Sequence, residues 1–119
     1  MLFEDMRQWR IMVLMIVVET HIFTRQVLLL LSDEEYRLLQ AVLVNRPESG
    51  VIIPSSGGLR KMRWGFLGKG KRGGVRVIYY WAVRQERILM LLIYPKNVKD
   101  DLTREQLKIL RNIVKEEFP

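Results

Sequence analysis

Two apolar runs, residues 75–83 (VRVIYYWAV) and 88–94 (ILMLLIY), stand either side of the short polar stretch Arg84, Gln85, Glu86 and Arg87. Strands joined by so tight a turn can only pair antiparallel. Because the first of them is apolar on both alternating faces, it is expected to lie mid-sheet. A third run at residues 59–64 (LRKMRW) precedes the pair, giving three strands around which a single core can form. At 119 residues there is room for one compact domain and little for a second.

The same stretch is where the charge collects. From Gly57 to Lys99 there are eleven Lys/Arg and one acid, Glu86, within a chain of net charge +7 and pI near 10.1. Cations threaded into strands, and not only at their ends, point to a sheet face that meets a polyanion, with nucleic acid the leading class. Alternation puts Lys61 and Arg63 on one face of their strand and Arg60, Met62 and Trp64 on the other, and it groups Arg76 with Ile78 and Tyr80. There is no cysteine, so disulfides, thiolate chemistry and cysteine-based zinc sites are excluded, with a mild lean to the cytosol.

Helices flank these strands. A first strand is expected over residues 14–19. A helix then follows over 21–31, buried because it is apolar and uninterrupted by Gly or Pro. Ser32, Asp33, Glu34 and Glu35 form a capping box that opens a helix running to Asn45, closed by Pro47 and Gly50. Residues 51–56 read as a connection with at most a short extended piece. Thr103 to Gln106 is a second capping box, and Leu107, Leu110, Val114 and Phe118 make the apolar stripe of a C-terminal helix. Arg7 and Arg10 ahead of an eight-residue apolar run imitate a signal sequence. No small-residue cleavage site follows, however, and the run is far short of the roughly twenty residues that span a bilayer. Residues 1–13 therefore read as an extension, with Met6, Met12 and Met15 as alternative starts, and 14–119 as the domain.

Gly65 to Lys71 has the spacing of a phosphate-binding P-loop, but Arg72 stands where Ser or Thr must ligate magnesium, and a strand follows where a helix is required. The glycines instead let backbone amides and Lys69, Lys71 and Arg72 approach a phosphodiester, or simply form a solvated hairpin loop. The acids sit at helix ends, where carboxylates cap or solvate, so no metal is expected. The lone His21 excludes a His-pair nuclease and reads as structural. What remains is cation and phenol chemistry. An RNA 2′-hydroxyl can attack the adjacent phosphorus if a base takes its proton, cations neutralise the phosphorane and an acid protonates the leaving 5′-oxygen. A lysine reaches the basic form when neighbouring cations lower its pKa of about 10.4 by about three units, roughly 4 kcal/mol of repulsion and desolvation. Clustering of Lys61, Arg63, Lys69, Lys71, Arg76 and Lys96 would supply that. Tyr94 offers a hydroxyl for proton relay or a ring for base stacking.

The succession GGLRKMRW, GKGKRGGVRVIYY, LLIYPKN and KDDLTREQ, preceded by LSDEEYRLLQ, closely resembles the RelE/HigB-type toxins of bacterial toxin-antitoxin systems over about residues 19–118. The resemblance implies an α+β fold: a small twisted antiparallel sheet with its helices, N-terminal and C-terminal, on one side. It implies a ribosome-dependent mRNA interferase acting in the 70S A site without metal or cofactor. The partner would be a cognate antitoxin of helix-turn-helix type, and the location cytoplasmic, with no membrane association. By the same resemblance Lys61 and Arg63 are cationic site positions, Arg76 is the central phosphate-binding arginine, and Tyr94 and Lys96 are catalytic or stacking positions. Lys69, Lys71 and Arg72 belong to a basic loop, and Arg60 and Lys99 complete the RNA-binding set. Which group is the general base stays open. The rival functions are a gyrase-inhibiting relative and a non-catalytic nucleic-acid-binding domain of the same shape. The retained cationic face and Tyr94 favour the nuclease.

Overall fold

The computed structural model describes residues 15–65, 74–97 and 101–119. In chain order these form β1 (Ile16–Glu19), α1 (His21–Leu30), α2 (Asp33–Asn45), a 3-10 turn (Pro47–Ser49) and β2 (Val51–Ile52). They continue with β3 (Leu59–Trp64), β4 (Val75–Ala82), β5 (Arg87–Pro95) and α3 (Arg104–Glu117). The five strands make one sheet in the order β1-β5-β4-β3-β2. The α+β class, the β4–β5 hairpin and β4 at mid-sheet are as expected from sequence.

Three features differ from expectation. β1 runs parallel to β5, so the sheet is mixed, whereas β2 to β5 are antiparallel throughout. A strand followed by helices needs no hairpin, and Thr20 ties its end to β5: its amide donates to Met90 O and its hydroxyl to Leu91 O, at 3.0 and 2.9 Å. The helices also lie on both faces rather than one. Phe23, Val27, Leu39 and Leu43 of α1 and α2 pack on Val75, Val77, Tyr79, Ile88 and Met90, while Leu110 and Val114 of α3 pack on Leu59, Ile78, Leu89 and Leu91. Alternation makes these opposite sides of the sheet, which accounts for the apolar residues on both faces of β4. Finally, α1 is not buried. Only Phe23 and Val27 are enclosed, whereas Leu28 and Leu29 are exposed, because an outer-layer helix turns a single stripe to the sheet.

Both anticipated capping boxes are present. Ser32 accepts from Glu35 N and Thr103 from Gln106 N, with each N3 side chain accepting from the cap residue's amide in return. Glu19 accepts hydrogen bonds from Tyr36 Oη and Thr24 Oγ1, clamping the end of β1 to both helices. Burial, with the Glu19 carboxylate adding to it, pushes the Tyr36 phenol above its ordinary value. Beneath the 3-10 turn, the buried Tyr79 hydroxyl donates to Pro47 O at 2.6 Å and accepts from Gly50 N at 2.7 Å. A Cβ on Gly50 would stand 2.8 Å from the Tyr79 ring, so the close approach requires glycine.

Candidate functional site

Register decides which cations meet. Arg63 lies directly opposite Arg76, Lys61 opposite Ile78 and Arg76 opposite Tyr94, so Lys61, Arg63, Arg76 and Tyr94 share the sheet face that carries α3. Tyr94 reaches that face only because β5 bulges. Ile78 pairs with Leu92 and Tyr79 with Met90, leaving Leu91 as an extra residue that resets the alternation. Without it Tyr94 would point toward α1 and α2.

Lys61, Arg63, Arg76 and Asp101, with Ser49 and Val51, line a groove of about 500 Å3. Two arginines directly across a strand pair repel each other. Arg76 is also 5 % exposed, and it makes no ion pair or hydrogen bond among the described residues. Arg76 lines the groove, so an anion entering it can accept bidentate, charge-assisted hydrogen bonds from the guanidinium and offset its repulsion with Arg63. Lys61 is partly satisfied already, because its Nζ lies 2.8 Å from Asp101 Oδ1. That hydrogen bond and the Lys61 charge, with a smaller pull from Arg76, hold the Asp101 carboxyl below its ordinary value. Asp101 stands two residues before the Thr103 cap, so the start of α3 fixes where this carboxylate meets the groove.

Lys96 follows β5 on an exposed turn, its amide donating to Gly74 O at 3.3 Å, so it stands at the same end of the hairpin as Arg76 and Tyr94. Arg60 is not brought to the groove. It faces the other side, donates to Gly50 O at 2.8 Å and lies 5.9 Å from the Trp81 ring. The role of Arg60 visible here is to hold the 3-10 turn on the sheet. Lys69, Lys71, Arg72 and Lys99, like the 1–13 extension, lie outside the described residues. His21 is exposed at the first position of α1, and among the described residues no cluster of His, Asp or Glu could hold a metal.

Sequence reasoning missed Asp101 as a groove residue. It is 40 positions from Lys61, and its acidic neighbour and the following cap make it look like a solvated helix approach. A larger hollow of about 600 Å3 lies beside α2, but its lining of Leu38, Ala41, Val42 and Trp64 is largely apolar and offers little chemistry. No helix among the described residues is long and apolar enough to cross a membrane.

Comparison with known families gives a match that spans nearly the whole chain. Residues 15–118 match the model of the RelE toxin of the RelE/RelB toxin-antitoxin system. The match covers every element described above, from β1 through α3, and includes all the groove residues. The chain therefore belongs to the RelE toxin family, and is the toxin member of a toxin-antitoxin pair whose counterpart is an antitoxin.

Proposed function

We propose that this toxin is a metal-independent endoribonuclease that cuts translated mRNA in the ribosomal A site, in the cytoplasm, and is restrained by an antitoxin of helix-turn-helix type. The observation that carries the reading is Arg76, which is buried, lines a groove with Lys61 and Arg63, and makes no side-chain hydrogen bond or ion pair among the described residues. Seated there, a phosphodiester would accept hydrogen bonds from Arg76 while Arg63 balances the second negative charge of the phosphorane, with Lys61, held by Asp101, at the edge of the site. The RNA 2′-oxygen bonds to phosphorus and the bond to the 5′-oxygen breaks. A 2′,3′-cyclic phosphate and a 5′-hydroxyl end result, so no water and no metal-bound hydroxide is consumed. Tyr94, opposite Arg76 on β5, and Lys96, on the turn that follows the strand, are the groups assigned to the two proton transfers. Lys69, Lys71, Arg72 and Lys99 are assigned to the RNA backbone.

The test is to map 5′-hydroxyl ends in cells expressing the toxin and on purified ribosomes programmed with a message. Cuts confined to translated codons, and absent in Arg76→Ala, are expected. Inhibited DNA supercoiling with intact messages would transfer the protein to the gyrase-directed reading.

A further inference from the structure

The cleavage groove is the first of three hollows that share lining residues. Val51, Lys61 and Asp101 line both the groove and a slot of about 380 Å3, whose other walls are Ile52, Ile53, Pro54 and Leu102. Pro54 in turn lines both the slot and a basin of about 570 Å3 walled by Arg104, Lys108 and Arg111. The sequence along this track is cationic, then aliphatic, then cationic. At the junction of groove and slot the Asp101 charge is matched by Lys61, which suits an uncharged base or ribose better than a phosphate. Val51 is 75 % and Ile52 51 % exposed, a conspicuous aliphatic edge for so short a strand.

The basin's cations are ordered by the helix. At 3.6 residues per turn, Arg104, Lys108, Arg111 and Lys115 fall within a sector of about 60°, spaced about 4.5–6 Å along the axis. The acids of α3 lie outside that sector, and none of the four cations makes an ion pair or hydrogen bond among the described residues. Arg111 is seated against the turn after β2. Gly57, at φ +74°, would place a Cβ 3.2 Å from Arg111 Nε, so the glycine keeps room for the guanidinium beside the basin.

We propose that one RNA strand occupies the whole track: its scissile phosphate in the groove, a base or ribose against the slot, and its next phosphates on the Arg104, Lys108 and Arg111 row. This makes α3 a second phosphodiester subsite for the same strand, and it rests on the reading of the groove as the RNA-cleaving centre. Polyanion charge complementarity at both ends of an uncharged slot selects a single-stranded chain.

The experiment compares the full-length toxin with the triple variant Arg104→Gln/Lys108→Gln/Arg111→Gln, both judged folded by circular dichroism. Fluorescence anisotropy would follow RNA oligomers of three and nine nucleotides with 2′-O-methyl at the cut position, over a salt series. Wild type is expected to bind the longer oligomer more tightly and the variant to lose that gain. With a slope near 0.7 per phosphate, three contacts make the wild-type loss between 50 and 200 mM salt about 20-fold larger than the variant's. Equal length dependence and equal slopes in the two proteins would overturn the proposal. So would an equal loss of binding to ribosomes carrying no message, which would make α3 a ribosomal-RNA contact, or a loss confined to antitoxin binding. If wild type cuts no message but the variant still loses the length gain, the track stands and the cleavage reading fails.

Discussion

Replacing Arg76 with methionine should make the protein more stable and inactive at once. Arg76 is 5 % exposed as a residue, faces Arg63 across the strand pair, and its guanidinium makes no hydrogen bond or ion pair among the described residues. An unsatisfied buried polar group costs about 1–3 kcal/mol, and more when charged. Asp101 offsets part of this, since its carboxyl feels the Arg76 charge, so the low end of that range applies. Methionine keeps most of the chain volume, so no large cavity opens. A gain of about 1–2 kcal/mol in a domain of this size raises Tm by roughly 3–8 °C. Cleavage falls by about 10²–10³-fold, the usual consequence of removing one preorganised donor from an oxyanion site. Calorimetry of the toxin freed from its antitoxin reads the first effect, and message cleavage on programmed ribosomes the second. A Tm lowered by several degrees would mean the guanidinium holds the fold together. Undiminished cleavage would mean that Arg76 does not bind the phosphate.

Tyr79→Phe removes the shared partner of Gly50 N and Pro47 O and should cost about 2–3 kcal/mol in a denaturant melt, while the groove keeps its activity below the new Tm. The depressed Asp101 carboxyl stabilises its pair with Lys61 above the ordinary value of 3.8 and loses that effect as pH falls through the lower folded value. The Asp101 carboxyl NMR shift should therefore have its midpoint below pH 3.8; a midpoint at or above 3.8 would break the assignment. Thr103→Ala should destabilise by about 0.5–2 kcal/mol and loosen the segment that presents Asp101, seen as faster amide exchange in the first turn of α3. A chain started at Met15, which retains β1 from Ile16 onward, is expected to match the full chain in toxicity and Tm. Loss of either would show that the first residues do structural or functional work.

The sequence by itself determined what depends on near neighbours. The two capping boxes, the β4–β5 hairpin, the limits of β3 and the apolar stripe of α3 follow from spacings of two to four residues, because caps, turns and amphipathic periods are local physics. The shared face of Lys61 and Arg63 was legible for the same reason. Tertiary structure decided everything that turns on register and on packing between distant segments. The Leu91 bulge carries Tyr94 onto the Arg76 face, and a one-residue slip of this kind leaves no trace in an apolar run where every residue is acceptable on either side. The Lys61 and Asp101 pair joins residues 40 apart, and the Gly50 carbonyl that engages Arg60 on the opposite face comes from a separate segment. The placement of α3 opposite α1 and α2 followed from a sheet apolar on both faces, which needs cover on each side. An apolar stripe reveals that a helix packs, but not which surface receives it.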